Sequence, residues 1–263
     1  MPTVQELYEL WAGDSELGDA LNRSLEPRGL EFLFDAFAAL GPRAGELVAD
    51  VGARDARHTI RLVHEHGLRA VAVDPVPLHC ELARQTVAEA GLDGEIEVVE
   101  GAIESLPLAD ASVEWIWCRD VLVHVDVRRG LAECARVLRP GGAMVAYVTL
   151  ATERLEPRER AELVDAAAIG SFDAEEVEAA AGAAGLVLGS VDRLGSEWRE
   201  RMLEDATWSA NEDLLQLARL ARGDFAESYG EAATKAARGG LLWGIYQLLG
   251  KLCPTVYIWE RRA

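Results

Sequence analysis

Two aspartates and one glycine stand at the spacing of a nucleoside-binding site. Asp50 lies within an apolar run, Gly52 follows it, and Asp74 ends a second apolar run about 20 residues past the glycine. Glycine permits the sharp turn that a strand needs before a helix begins. A carboxylate accepts hydrogen bonds from hydroxyl groups, so this spacing predicts that Asp74 binds the hydroxyl pair of a ribose, although an acid at a strand end can also simply cap a turn.

The elements that position these residues alternate along the chain. An apolar strand at 46–51 turns at Gly52 into a helix at 55–66, and the next strand covers 69–74. The same alternation predicts further elements, which are a helix at 77–90, strands at 95–100 and 112–118, a helix at 128–138 and a strand at 143–150. Strands that alternate with helices predict an α/β fold, with a doubly wound, mostly parallel sheet and helices on both faces.

The turn after the first strand limits which ligand can bind there. A dinucleotide requires G-x-G-x-x-G, whereas this turn keeps only Gly52 and places Arg54 and Ala56 where small residues would help. Asp55, the predicted N-cap of the helix, would repel a phosphate. A nicotinamide dehydrogenase is therefore disfavoured. The turn favours a nucleoside without phosphates, such as S-adenosylmethionine, whose sulfonium cation tolerates an acidic site.

Several motifs, in order and spacing, resemble one family. They are VADVGARDARHT at 48–59, VAVDPVPLHCELAR at 71–84, VEGAIESLPLADASVEWIWCRDVLVHV at 99–125 and RVLRPGGAMVAYVT at 136–149. The chain resembles the class I S-adenosylmethionine-dependent methyltransferases, particularly the small-molecule type related to the menaquinone and ubiquinone methyltransferases. This resemblance implies a Rossmann-like, seven-stranded sheet whose last strand is antiparallel. The chain departs from the family's D-x-G-x-G-x-G motif by keeping one glycine.

The resemblance also implies how the chain is divided. Residues 1–44 would form an N-terminal helical cap, with a helix predicted at 26–40, and 45–194 would form the cofactor-binding core. A helical lid at 195–250 would be inserted before the final strand of the core, at 251–263. In the family, such caps cover the cofactor and shape the substrate pocket.

The family's cofactor contacts carry over to matching positions of this chain. Asp74 would bind the ribose hydroxyls, Asp50 would orient the amino group, and Arg54 would pair with the carboxylate, unless Arg54 is a solvated loop residue. Ala102 replaces a frequent acid and cannot accept from the adenine amino group, so a backbone group or Glu104 would serve. The other expected contacts are Gly52, Ala53, Pro75, His79, Ile103, Cys118 and Arg119.

Two residues after the fourth strand are candidates for catalysis. His124 could act as a general base because its unperturbed pKa lies near neutrality, and a structural role in the turn is an equal alternative. Asp120 could contact the substrate or cap the following helix. The expected reaction is methyl transfer from S-adenosylmethionine to an O, N or C nucleophile of a small molecule. The alternatives are a protein that binds the cofactor without methyl transfer, for example for a cyclisation, and a non-catalytic scaffold.

Composition narrows the expected partners. The 45 acidic residues outnumber the 26 basic ones and give a formal net charge of -19, which argues against nucleic acid or an anionic membrane as a partner. The 4 cysteines are scattered and the histidines lack metal-ligand spacing, so we expect no metal site. Without a signal-peptide pattern or a membrane-length apolar run, we expect a cytoplasmic protein. A small-molecule methyl acceptor is the expected partner, and homo-oligomerisation is left open.

Overall fold

The computed structural model describes residues 2–12, 16–167 and 169–262. The positions 1, 13–15, 168 and 263 of the expected domain ranges lie outside these described residues. The helices are α1 (Val4–Ala12), α2 (Glu16–Leu21), α3 (Leu30–Ala38), α4 (Arg57–His66), α5 (Pro77–Ala90), α6 (Val127–Val137), α7 (Pro157–Ala167), α8 (Ala174–Ala183), α9 (Glu197–Glu204), α10 (Ala210–Arg222), α11 (Phe225–Tyr229) and α12 (Glu231–Leu248). The strands are β1 (Leu47–Val51), β2 (Arg69–Asp74), β3 (Ile96–Glu100), β4 (Val113–Arg119), β5 (Leu138–Ala151), β6 (Leu186–Arg193) and β7 (Leu252–Arg261).

These strands form one seven-stranded sheet in the order β3-β2-β1-β4-β5-β7-β6. The pairs from β3 to β5 are parallel, whereas β7 runs antiparallel to both β5 and β6. The expected fold class, a doubly wound and mostly parallel sheet with an antiparallel last strand, is therefore confirmed. None of the described helices has the length and apolarity needed to cross a bilayer.

The central strands are buried on both faces, which is why they read as apolar runs. Successive side chains of a strand point to opposite faces, so Ile116 and Cys118 of β4 belong to one hydrophobic core and Trp117 belongs to the other. The core around Trp117 includes Phe34 and Phe37 of α3, whose rings contact the indole. This packing holds the N-terminal helix α3 against the sheet beside the end of β4.

The turn between β1 and α4 is left-handed at alternate residues. Gly52, Arg54 and Ala56 have φ angles of 79°, 51° and 59°, the positions of the three glycines in the family motif. A Cβ atom on Gly52 would lie 2.2 Å from Cγ2 of Val121, so only glycine fits there. The chain keeps the glycine-loop backbone although two of the three residues carry side chains, which costs about 1–2 kcal/mol for each of them.

Two sequence-based predictions of helix starts are wrong. The N-cap of α4 is Ala56 and not Asp55, because the left-handed turn continues one residue further than the sequence indicates. The helix expected at 26–40 begins at Leu30, because the preceding segment is held in another conformation. Arg28 donates hydrogen bonds to Asp192 and to Glu197, and these contacts tie the segment to β6 and α9.

We predict that Arg54→Gly stabilises the protein by about 0.5–1 kcal/mol, because glycine adopts the left-handed region without a Cβ clash. The Arg54 side chain is exposed, so its removal leaves no cavity. The matched control is Ala53→Gly, at a buried neighbour whose φ is not positive, and this change should destabilise by about 0.5–1 kcal/mol. Urea unfolding of both variants measures the difference, and equal losses in the two would contradict the strain argument.

Candidate active site

The carboxyl ends of the parallel strands place most candidate residues at one edge of the sheet. Val51 pairs with Val73 of β2 and with Cys118 of β4, and Asp74 pairs with Glu100 of β3. The chain segments that follow these strands are therefore neighbours. Open α/β sheets bind their ligands at this edge.

Asp74 is the centre of a hydrogen-bond network at this edge. Its side chain is 6% exposed, and Oδ2 accepts from the amide of Arg54 at 2.9 Å. Oδ1 accepts from the amide of Val76 at 3.0 Å and lies 3.0 Å from Nδ1 of His79. A carboxylate offers about four acceptor positions, so Oδ2 retains capacity for one more donor, whereas Oδ1 has two neighbours already. Asp74 can therefore bind the two ribose hydroxyls with both of its oxygens only if the His79 ring moves away from Oδ1.

Asp50 is a buried acid beside Asp74. It is 3% exposed, and Oδ2 accepts from the hydroxyl of Thr59 in the first turn of α4 at 2.5 Å. Burial, helped by the charge of Asp74, raises the pKa of Asp50 to about 7 against the opposing effects of Thr59 and Arg119. A cation bound next to Asp50 would hold this carboxylate in its ionised form.

In the loop after β3, fewer side chains are available to contact a ligand than the sequence predicts. Ile103 is 3% exposed and lies against Gly130 of α6, so its side chain belongs to the core. Glu104 accepts a hydrogen bond from the amide of Asp126 at 3.3 Å, ahead of α6. Ala102 pairs with Ser105 in a short bridge. Backbone groups of this loop remain the candidates for contact with a ligand, and Pro75 is exposed beside it.

The end of β4 brings a cation and an acid into the interior. Cys118 is fully buried in the core, and burial raises the pKa of its thiol well above the usual value, so only its backbone can face a ligand. Asp120 has a φ of 55°, and its Oδ1 accepts from the hydroxyl of Thr149 at 3.1 Å. Burial raises the pKa of Asp120, while Arg119, Thr149, His124 and Arg199 oppose the shift.

Arg119 and His124 lie on different cavities. A cavity of about 750 Å³ is lined by Arg119, Trp198 and residues of the α3 and α9 regions. His124 is exposed at the end of a short 3₁₀ helix, Leu122–His124, and lines a second cavity of about 520 Å³ together with Glu104. Arg119 and His124, which are only five residues apart in the sequence, thus face different cavities.

Sequence analysis missed three polar side chains of this edge. Thr59 and Thr149 each donate to a candidate acid, and Arg199 of α9 faces the Asp120 region. Thr149 could have been found, because it lies near the carboxyl end of β5, next to β4 in the sheet. The position of Arg199 follows from how the cap packs, for which the sequence carries no periodic signal.

Comparison with known families matches one segment of the chain to a family. Residues 49–146 match a family described as a methyltransferase domain. This match, with the strand order and the edge geometry, assigns the domain to the class I S-adenosylmethionine-dependent methyltransferases. The family expected from the sequence motifs is confirmed.

Individual relatives match only part of the chain. The uncharacterised methyltransferase Rv3342 of Mycobacterium tuberculosis is 38% identical over 125 residues, 46% of this chain and 47% of that protein. Dimethylglycine N-methyltransferase of Parasynechococcus marenigrum is 32% identical over 168 residues, 58% of this chain and 57% of that protein. The chain thus spans about half the length of the curated relatives that it matches.

Solved structures share the fold over most of the chain. The geranyl diphosphate C-methyltransferase of Streptomyces coelicolor superposes with a TM-score of 0.67 at 15% identity, covering 88% of this chain and 77% of that chain. The cyclase SpnF superposes with a TM-score of 0.69 at 18% identity, covering 89% and 81%. At these identities the likeness shows the fold and carries no information on the substrate.

The raised pKa of Asp50 predicts a pH dependence of stability. The folded protein keeps the Asp50 proton up to about pH 7, whereas the unfolded chain releases it near about pH 4. The stabilisation is therefore complete below about pH 4 and is lost as the pH rises to about 7. We expect the unfolding free energy of the wild type, relative to Asp50→Asn, to fall by about 1 kcal/mol per pH unit in this window.

Chemical denaturation from pH 4 to pH 8 measures this difference. The control is Asp93→Asn, which removes an exposed acid near the start of β3 and should give a curve parallel to that of the wild type. A parallel curve for Asp50→Asn would show that Asp50 is ionised throughout the window and would contradict the assignment.

Proposed function

We propose that this protein transfers a methyl group from S-adenosylmethionine to an O, N or C nucleophile of a small molecule. The observation that carries the proposal is the left-handed turn at 52–56, fixed to Asp74 through the Arg54 amide. The turn exposes backbone at the carboxyl edge of the sheet, where such folds bind ligands. The matched methyltransferase domain covers residues 49–146, from within β1 into β5.

The residues of this edge fit S-adenosylmethionine. Asp74 has acceptor capacity for a ribose hydroxyl, and the buried carboxylate of Asp50 suits the ammonium group of an amino acid. Acids at the turn are unfavourable for a phosphate, in agreement with a nucleoside ligand. The residues that would hold the cofactor are Asp50, Gly52, Ala53, Arg54, Asp74, Pro75, His79, Ala102, Ile103, Glu104, Cys118 and Arg119. When bound, S-adenosylmethionine supplies an electrophilic methyl group on a sulfonium.

The contribution of the chain itself is to orient the acceptor, exclude water and receive a proton. Orientation alone lowers such a barrier by about 7–11 kcal/mol in effective-molarity arguments. Asp120 uses Oδ1 to accept from Thr149, which leaves Oδ2 to receive a proton from a hydroxyl or ammonium acceptor. His124 is the second candidate base, on the cavity of about 520 Å³, and would exchange its proton with solvent because it is exposed.

Calorimetric titration with S-adenosylhomocysteine tests the cofactor site. We expect micromolar binding to the wild type and a loss of about tenfold or more in Asp74→Asn, because a hydrogen bond to a charged acceptor is removed without change of shape. The control is Glu97→Gln, an exposed acid on the neighbouring strand β3, which should bind as the wild type does.

Two results would contradict the proposal. One is the absence of binding to folded wild-type protein, and the other is equal affinity in wild type and Asp74→Asn. Conversion of S-adenosylmethionine to S-adenosylhomocysteine in the presence of small amines, phenols and acids then separates methyl transfer from binding alone. Binding without conversion of any acceptor would move the cofactor-dependent cyclisation, or a scaffold, ahead of methyl transfer.

A further inference from the structure

Arg119 is a half-buried arginine at the end of β4 whose Nε–H lacks a hydrogen-bond acceptor among the described residues. Its Nε atom is buried and makes no hydrogen bond. The guanidinium carbon lies 5.7 Å from the ring centres of Tyr147 and Trp198, and Asp50 and Asp120 are near enough for their charges to interact with it. A buried donor without an acceptor is costly, and such an exception calls for an explanation.

Arg199 is a second arginine in the same region. Its Nε donates to Oε1 of Gln247 at 3.0 Å, and its guanidinium lies 5.0 Å from the ring centre of Trp208. Burial lowers the pKa of Arg199, while Tyr147, Asp120 and Asp213 oppose that shift. Neither Arg199 nor Arg119 forms an ion pair within 4.0 Å of a carboxylate among the described residues. Both arginines therefore remain available for an anion.

The acids near these arginines have other partners. Thr149 donates to Asp120, Thr59 donates to Asp50, and the indole Nε1 of Trp208 donates to Asp213 at 2.8 Å. Each of the three carboxylates therefore has a hydrogen-bond donor other than the two arginines, although their charges still interact with the guanidinium groups. The nearby acids thus moderate the positive charge without satisfying the donors.

Arg119 opens onto the cavity of about 750 Å³. Another arginine of its lining, Arg28, is already neutralised, because its guanidinium pairs with Asp192 at 2.7 Å and with Glu197 at 2.8 Å. Apolar side chains such as Trp198 and Met202 form part of the same wall. The cavity therefore combines the Arg119 guanidinium with apolar surface. The acids of its lining, Glu31, Asp35 and Asp205, are exposed, and Glu31 pairs with Arg61 while Asp205 accepts a hydrogen bond from Thr207.

We propose that Arg119, supported by Arg199, binds a carboxylate in this cavity. Guanidinium donors match the two oxygens of a carboxylate, and a carboxylate there would supply the acceptor that the buried Nε–H of Arg119 lacks. This inference rests on the proposed function, and the carboxylate has two possible sources there. It belongs either to the amino-acid end of the cofactor or to an acidic methyl acceptor.

The Nε–H resonance of Arg119 provides a direct test. In NMR spectra of protein labelled with ¹⁵N-arginine, the Arg119 resonance is identified as the Nε–H signal that is missing from the spectrum of Arg119→Gln. The first pair of probes is S-adenosylhomocysteine and 5′-methylthioadenosine, which lacks the amino-acid end. The second pair is benzoate and benzamide, added to protein saturated with S-adenosylhomocysteine. We expect the acid of one pair to shift the Arg119 signal while its neutral counterpart does not.

The two pairs identify the source of the carboxylate. A selective shift in the first pair assigns it to the cofactor, and a selective shift in the second pair assigns it to the acceptor. Arg119→Gln should weaken binding of the effective acid by about ten- to hundredfold and leave its neutral counterpart unchanged, with a smaller loss in Arg199→Gln. Arg28→Gln, which removes the same charge from the same cavity, should leave the selectivity for the acid unchanged.

The proposal is overturned if acid and neutral probes behave alike in both pairs, or if Arg119→Gln weakens both members equally. Its failure is distinguishable from failure of the proposed function. If S-adenosylhomocysteine does not bind at all, the methyltransferase proposal fails, and benzoate against benzamide on the free protein still tests Arg119.

Discussion

The hydrogen bond from the Arg54 amide to the Asp74 carboxylate is the contact on which the whole edge depends. It joins the turn after β1 to the end of β2, and the amides of Gly52 and Ala53 add bonds to the Val73 carbonyl. An amide that donates to a carboxylate makes one of the stronger hydrogen bonds in proteins. These bonds offset the strain of the left-handed residues Arg54 and Ala56, so the glycine-loop conformation persists without its glycines.

The same edge concentrates buried acids in a small volume. The three acids lie in or after different strands: Asp50 in β1, Asp74 at the end of β2 and Asp120 directly after β4. Each carboxylate accepts a hydrogen bond from a hydroxyl or an amide. Burial and the charge of Asp74 raise the pKa of Asp50, and this group of acids favours a cationic ligand over an anionic one. Arg119 is the exception, because it places an unpaired cation beside this acidic group. An edge of this kind suits a zwitterionic ligand better than a simple cation or anion.

Sequence reasoning recovered what is encoded locally. The runs at 69–74 and 77–90 match β2 and α5 to the residue, because apolar strands and helix-starting prolines carry their own signals. The predicted start of α3 was wrong because Arg28 donates hydrogen bonds to residues more than 160 positions later in the chain, in β6 and α9. The encounter of Arg119 with Arg199 was missed for the same reason. Contacts between the cap and the core depend on packing, and no local pattern records them.

The matched domain and the larger cavity overlap at one charged side chain. The family match covers 49–146, whereas the cavity wall is built mainly from residues 27–35 and 198–207, outside that segment. The family match therefore describes most of the carboxyl edge of the sheet and does not extend to most of the cavity wall. Arg119 belongs to both parts, since it ends β4 and also faces the cavity. A ligand group held by Arg119 would lie where the matched domain meets the rest of the cavity wall, which under the proposed function is where methyl donor and acceptor would meet.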